Sequence, residues 1–124
     1  MQMDIKKFWK AVLKQDPEEI RPFFKETAYI NWHCTNEHFT VDQFIRANCE
    51  YPGKWDGTIE RIEWIDNLVI TAARVFAKDK ELSFHVVSFI KIENDKIASL
   101  DEYWGDDGIA PQWRLDMKIG TTIN

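Results

Sequence analysis

Apolar side chains between residues 4 and 14 recur every three or four positions, and lysines occupy the positions between them. This spacing predicts an amphipathic helix that begins after a capping residue, Asp4. Asp16-Pro17 predicts a second, short helix, because aspartate caps a helix and proline fits its first turn. The residues that these two helices are expected to bury are Ile5, Phe8, Trp9, Val12, Leu13, Ile20, Phe23 and Phe24.

Further along the chain the pattern predicts one more helix and then, after residue 50, a series of strands. Thr40 to Gln43 has the residues of a capping box and predicts the third helix. Residues 27–33 predict an earlier strand, and the stretch CTNEHF predicts a loop. Later apolar runs, separated by short polar turns, predict hairpin strands over 59–65, 69–77, 82–92 and 97–104. Helices followed by a strand meander indicate an α+β fold.

Length and composition narrow the possible partners. The 124 residues are enough for one domain, residues 1–124, with a single core. The net charge is -5 and no stripe of Lys and Arg is present, which disfavours nucleic acid as a partner. No apolar run approaches the length of a membrane span, so we expect a cytoplasmic protein that does not bind membranes. Cys34 and Cys49 are expected to be free thiols.

The final hairpin carries a family resemblance. Its sequence, SFHVVSFIKIENDKIASLDEYWGDD, has a strand, a polar turn, an Asp-Lys-Ile step and a terminal Tyr-Trp. With the element order of the whole chain, it resembles the nuclear transport factor 2-like superfamily, which includes SnoaL-like polyketide cyclases and ketosteroid isomerase. The resemblance implies a cone-shaped α+β barrel, in which three N-terminal helices pack on a strongly curved, mostly antiparallel sheet. It also implies a ligand cavity on the concave side and no cofactor.

Strand parity predicts which side chains reach this cavity. In the superfamily the Trp of the closing Tyr-Trp looks inward, and side chains two residues apart share a face. Leu100, Glu102 and Trp104 are therefore expected inside, and Asp101 and Tyr103 on the convex face.

The same counting extends to the strand end and to the preceding strand. Asp106 and Asp107 follow Gly105, where the strand is expected to end, so both are expected on the rim. The preceding strand is expected to point Phe84, Val86, Ser88 and Ile90 inward, and His85, Val87 and Phe89 outward.

Glu102 is the candidate general base, because apolar walls favour a raised carboxyl pKa. His33 is its candidate proton-transfer partner. Two alternatives stay open. Glu102 can instead be a structural carboxylate on the rim, hydrated or paired with Arg114, and strand parity through Trp32 would turn His33 outward.

The stretch WHCTNEH is expected at the mouth of the cavity, where the first strand ends. Its spacing is poor for metal ligands, so no metal site is predicted. The ligand-binding side chains are expected to be Trp9, Trp32, Asn36, Glu37, Asn48, Val86, Ser88, Leu100 and Trp104.

The sequence departs from ketosteroid isomerase at the two positions where that enzyme has carboxyl groups. Its base position falls near Trp32 and its acid position falls at Ser88. Neither residue supplies the required carboxyl, so steroid isomerisation by that mechanism is disfavoured.

Three functional hypotheses follow. The first is a small-molecule-binding domain with an aromatic-lined cavity for a flat or cyclic apolar ligand. The second is a cofactor-independent cyclase, dehydratase or isomerase that uses Glu102 as general base. The third is a dimeric protein-interaction module, because Val87 and Phe89 make the convex face apolar and the superfamily often dimerises through that face.

Overall fold

The computed structural model describes residues 3–79 and 81–124. The described part contains four α-helices and six strands. The helices are α1 (Ile5–Lys14), α2 (Pro17–Ile20), α3 (Val41–Cys49) and α4 (Gln112–Met117). The strands are β1 (Phe24–Trp32), β2 (Glu37–Thr40), β3 (Trp55–Ile65), β4 (Leu68–Ala77), β5 (Ser83–Glu93) and β6 (Lys96–Asp106).

The six strands form one mixed, open sheet in the order β2-β1-β6-β5-β4-β3. Strands β1 and β6 pair in parallel, and every other neighbouring pair is antiparallel. Three helices precede the β3–β6 meander. The predicted α+β class, with helices first and a mostly antiparallel sheet after them, is therefore confirmed.

The helix starts follow from their capping residues. The Asp4 side chain accepts a hydrogen bond from the Lys7 backbone amide at 3.0 Å, and Asp16 caps α2 in the same way. Thr40 and Gln43 form both hydrogen bonds of a capping box at the start of α3. These contacts satisfy amide donors that a helix terminus otherwise leaves unpaired.

The core lies between the helices and one face of the sheet. Phe8 and Trp9 of α1 are buried, as are Ile30, Ile90 and Leu100 on the central strands. A side chain at Gly57 of β3 would place its Cβ 2.7 Å from the Arg74 carbonyl oxygen. The same Cβ would lie 3.3 Å from the Leu13 methyl groups, so the absence of a side chain lets α1 approach the sheet closely.

Several element boundaries differ from the sequence predictions. The predicted loop CTNEHF contains the first three residues of strand β2, which pairs with β1 after a tight turn at residues 33–36. Strand β1 begins at Phe24 and β3 at Trp55, each earlier than predicted. Helix α4 was not predicted. In residues 3–79 and 81–124, the structure has no helix long and apolar enough to span a membrane, and the cytoplasmic location stays a prediction.

Strand β6 does not end at Gly105 as predicted. Its pairing with β5 continues through Gly105 to Asp106, which lies opposite Phe84. The two-residue period therefore extends to Asp106 and puts it on the same face as Glu102 and Trp104.

Candidate functional site

A row of polar side chains crosses the inner face of the sheet. The strand registers align Trp32, Glu102, Ser88 and Thr71 on β1, β6, β5 and β4. Three members of the row, Glu102, Ser88 and Thr71, are buried among apolar neighbours. A polar row in this position requires internal hydrogen bonds, because water does not reach it.

Glu102 is the centre of the row and accepts three hydrogen bonds. Its Oε1 atom accepts from the indole nitrogens of Trp32 and Trp104, at 3.1 and 3.3 Å. Its Oε2 atom accepts from the Ser88 hydroxyl at 2.6 Å. Burial raises the pKa of the Glu102 carboxyl, and the hydrogen bonds from Ser88, Trp104 and Trp32 offset part of that rise.

A cavity of about 560 Å³ lies beside this row, between α1, α3 and the sheet. Its size is in the range of small-molecule sites. Most of its wall is apolar, and six aromatic rings contribute to it, one each from α1, β1, β3, β5, β6 and the turn after α3. The lining residues are Trp9, Val12, Leu13, Gln15, Trp32, Cys34, Thr35, Glu37, Ala47, Asn48, Tyr51, Trp55, Val75, Phe84, Trp104 and Asp106.

The four tryptophans that line the cavity direct their indole N–H groups to protein acceptors. Trp32 and Trp104 donate to Glu102, as described above. Trp9 donates to the Thr71 hydroxyl at 3.2 Å, and Trp55 donates to the Pro52 carbonyl at 3.0 Å. A bound molecule therefore meets the carbon faces and edges of these rings, while the polar atoms are already engaged.

Two amide side chains join the helices at the cavity wall. The Gln15 amide nitrogen donates to the backbone carbonyls of Asn48 and Tyr51, at 3.0 and 2.9 Å. The Asn48 amide nitrogen donates to the Val12 carbonyl at 3.0 Å. Because each partner is a carbonyl, the nitrogen orientation of both amides is determined by the contacts.

The residues predicted to bind a ligand fall into three groups. Trp9, Trp32, Glu37, Asn48 and Trp104 line the cavity. Ser88, Val86 and Leu100 are buried in the layer behind it, as is Glu102. Asn36 is exposed in the turn before β2, with a positive φ of 56°, and does not line the cavity. Its predicted place at the mouth is taken by the neighbouring residues Cys34, Thr35 and Glu37.

His33 lies on the convex side of the sheet and is not brought to Glu102. Its ring stacks on Tyr103 with the centroids 4.4 Å apart, and its Nε2 atom is 2.7 Å from a carboxylate oxygen of Asp101. Both contacts belong to the outward face of β6. The outward alternative, which follows from strand parity through Trp32, is the one that the structure shows for His33.

Arg114 was the predicted partner of Glu102 if this carboxyl has a structural role, but the structure shows other partners. Arg114 is exposed in α4 and its guanidinium lies 5.2 Å from the centroid of the Trp113 ring. Glu102 instead accepts hydrogen bonds from Ser88, Trp32 and Trp104. In the described part of the chain, His, Cys, Asp and Glu side chains form no group of three or more that could hold a metal ion.

Several lining residues were not predicted. Asp106 was missed because β6 was expected to end at Gly105, and Trp55 because β3 was expected to begin later. Phe84 was expected inside by parity but was not counted among the ligand contacts. Gln15 and Tyr51 lie at helix ends, where side-chain direction has no period that a sequence can reveal.

No protein-family model and no curated protein sequence matches the chain significantly. Solved structures do match it. A "putative ketosteroid isomerase" from Kribbella flavida DSM 17836 has a TM-score of 0.79 at 17% identity, over 97% of this chain and 87% of that one. An NTF-2 like protein of unknown function from Burkholderia xenovorans LB400 has a TM-score of 0.77 at 20% identity, over 97% and 92%. The chain has the nuclear transport factor 2-like fold.

A third neighbour bears on the SnoaL-like resemblance. A "putative SnoaL-like polyketide cyclase" from Shewanella putrefaciens CN-32 has a TM-score of 0.66 at 16% identity, over 79% of this chain and 75% of that one. The nuclear transport factor 2-like fold supports both binding proteins and enzymes, so the likeness establishes architecture, and function depends on the site itself.

Proposed function

We propose that this protein is a small-molecule-binding domain whose cavity takes a flat or cyclic apolar body. One observation carries the proposal: four tryptophans line the cavity, and each has its indole N–H engaged by the protein. An apolar wall that is already hydrogen-bonded internally does not lose polar contacts when a ligand displaces water. Its binding energy comes mainly from burial of ring surface.

In this proposal Glu102 is a positioning residue. It holds Trp32 of β1 and Trp104 of β6 through one oxygen atom and so fixes the relative position of two rings on the cavity wall. Rings held in this way lose little further freedom when a ligand binds, which favours affinity.

The second candidate function is catalysis by Glu102 without a cofactor, as a cyclase, dehydratase or isomerase. The raised pKa of its buried carboxyl favours this alternative. Against it, both carboxyl oxygens are engaged by protein donors, and Glu102 does not line the cavity. A base must lie within hydrogen-bonding distance of the proton that it removes, and a carboxyl group outside the cavity lining does not meet this condition.

Calorimetric titration with flat polycyclic and aromatic compounds tests the binding proposal. Trp55→Ala removes a lining ring that makes no hydrogen bond to Glu102. The matched control is Trp113→Ala, which removes an exposed ring on α4. We expect Trp55→Ala to weaken binding by about ten-fold, as for a buried aromatic contact, and Trp113→Ala to leave it unchanged. Absence of heat with every compound at two well-separated temperatures, or equal losses in the two variants, would contradict the proposal, because burial of apolar surface makes the binding enthalpy depend on temperature.

A further inference from the structure

We infer that the cavity selects an organic cation, a protonated amine or quaternary ammonium group carried on an apolar body. The inference rests on the proposed binding function and narrows it. Three independent features of the wall point to this ligand class: its charges, its free hydrogen-bonding atoms and its aromatic rings.

The charges of the wall have one sign. Among the described residues that line the cavity, the charged side chains are Glu37 and Asp106, both carboxylates. Glu37 lies on the edge strand β2 and Asp106 at the end of β6. An ammonium group near them gains electrostatic attraction, whereas a carboxylate or phosphate is repelled.

The free hydrogen-bonding atoms of the polar side chains are mostly acceptors. Gln15 uses its amide nitrogen for two backbone carbonyls, and Asn48 uses its nitrogen for a third. Their amide oxygens make no hydrogen bond within the described part of the chain. Thr35 donates its hydroxyl to Glu37 at 2.7 Å. Because these donors and the indole N–H groups are engaged, the wall complements a ligand that brings its own donors.

The aromatic rings form a continuous wall. Tyr51 and Trp55 have centroids 5.4 Å apart, Trp55 and Phe84 are 5.8 Å apart, and Phe84 and Trp104 are 6.2 Å apart. The faces of Trp and Tyr rings attract cations through their quadrupoles, and quaternary ammonium groups are bound in this way in aromatic cages. The same rings also bury the apolar body of the ligand.

A lysine-rich groove on the other side of this wall has the opposite character. It is lined by Lys6, Lys10 and Lys14 of α1 and by Lys54 and Lys78. The lining residues that it shares with the cavity are Trp9, Leu13, Gln15, Trp55 and Val75. These lysines do not line the cavity itself. The positive charges of these lysines would attract an anionic ligand to the groove, so an anionic probe must be included in the test.

Three probes with one ring system separate the possibilities in calorimetric titration: 2-naphthylmethylammonium, 2-naphthylmethanol and 2-naphthoate. We expect the ammonium compound to bind more tightly than the alcohol by about three-fold to five-fold, and the carboxylate to bind most weakly. Equal or tighter binding of the alcohol or the carboxylate would overturn the inference and leave the binding function standing. If none of the three binds, the binding function fails with it.

Two isosteric variants locate the selectivity. The double variant Glu37→Gln, Asp106→Asn keeps the shape of the cavity and removes its charges. We expect it to lower the affinity for the ammonium compound by about three-fold, typical of exposed charge pairs, and to change the affinity for the uncharged alcohol by less than that. Glu26→Gln, at an exposed carboxylate of β1 outside the cavity lining, is the matched control and should change neither affinity. An unchanged ammonium affinity in the double variant contradicts the inference.

Discussion

Glu102 makes the same number of hydrogen bonds in either protonation state. As a carboxylate it accepts two indole N–H groups and one hydroxyl. As a neutral acid it keeps both indole bonds on Oε1 and donates from Oε2 to the Ser88 oxygen. Glutamine reproduces this second pattern, because its amide oxygen accepts and its nitrogen donates. Burial favours the neutral form.

Glu102→Gln should therefore become more stable relative to the natural protein as the pH rises. A raised pKa in the folded state contributes stability that is fully present below the unfolded value, near 4.5. That contribution is lost as the pH rises through the folded pKa, and glutamine does not titrate. Urea unfolding of both proteins across a pH series measures the difference in unfolding free energy.

Glu102→Ala is the contrasting change. It leaves two indole N–H groups and the Ser88 hydroxyl without their acceptor and opens a space in the core. We expect a loss of about 3 kcal/mol at pH values below the unfolded pKa. This loss should become smaller as the pH rises through the folded pKa, because alanine does not titrate and the natural protein is destabilised there. A pH-independent difference between Glu102→Gln and the natural protein would show that Glu102 does not carry the raised pKa.

Parity along a regular strand was enough to predict the inward direction of Glu102, but not its partners. Trp32 and Ser88 are 70 and 14 residues away from Glu102 in sequence, and they meet it through strand registers. Register depends on turn geometry and on pairing across the sheet, which the residue pattern does not specify. Arg114 was considered as a partner only because it is near in sequence.

At the level of elements, the contact of α1 with β3 and β4 depends on Gly57. Gly57→Ala should destabilise the fold by about 1 to 3 kcal/mol, because its Cβ meets a backbone carbonyl that cannot move freely. Gly105→Ala in β6 is the matched control, since a Cβ there has no atom within 4 Å. Thermal unfolding of both variants measures the effect, and equal melting temperatures would contradict this account.

Helices α1 to α3 could be predicted because each has a local start signal. Asp4, Asp16 and the Thr40–Gln43 pair act within one turn, and the apolar stripe of α1 has a clear helical period. Strand β2 lacked such a signal, since its four residues include only one apolar side chain with a clear strand preference, Phe39. It is held by pairing with β1, which is a tertiary contact.

At the level of the whole molecule, the convex face of the sheet carries an apolar patch formed by Ile70, Val87, Phe89 and Tyr103. Val87 and Tyr103 are opposite each other and are 39% and 45% exposed. Phe89 packs edge-on against Tyr103 at 6.0 Å. Exposed apolar clusters of this kind are typical of protein interfaces, which favours the dimer predicted from the sequence.

We predict that light scattering gives twice the 14.7 kDa chain mass. Val87→Glu puts a charge in the centre of the patch and should give the monomer mass. Its circular dichroism spectrum should be unchanged, because Val87 is exposed on the convex face and is not part of the core. A natural protein that scatters as a monomer would contradict the dimer.

The fold was predictable because many local signals agree with it, whereas the cavity wall depends on where elements end. Asp106 belongs to the wall because β6 runs past Gly105, and Trp55 because β3 begins early. A shift of one or two residues at a strand end therefore changes the chemistry of the site while leaving the fold unchanged.

The strand order also has a consequence for how the chain folds. Strand β6 is last in sequence but lies between β1 and β5. Until residues 96–106 are synthesised, the strands already made can pair only as two separate groups, β2–β1 and β3–β4–β5. Non-local pairing of this kind closes late, because it must overcome the entropy of a long loop. Glu102 belongs to that strand, so the step that joins the two groups is also the one that brings Glu102 to Trp32 and completes the wall of the cavity.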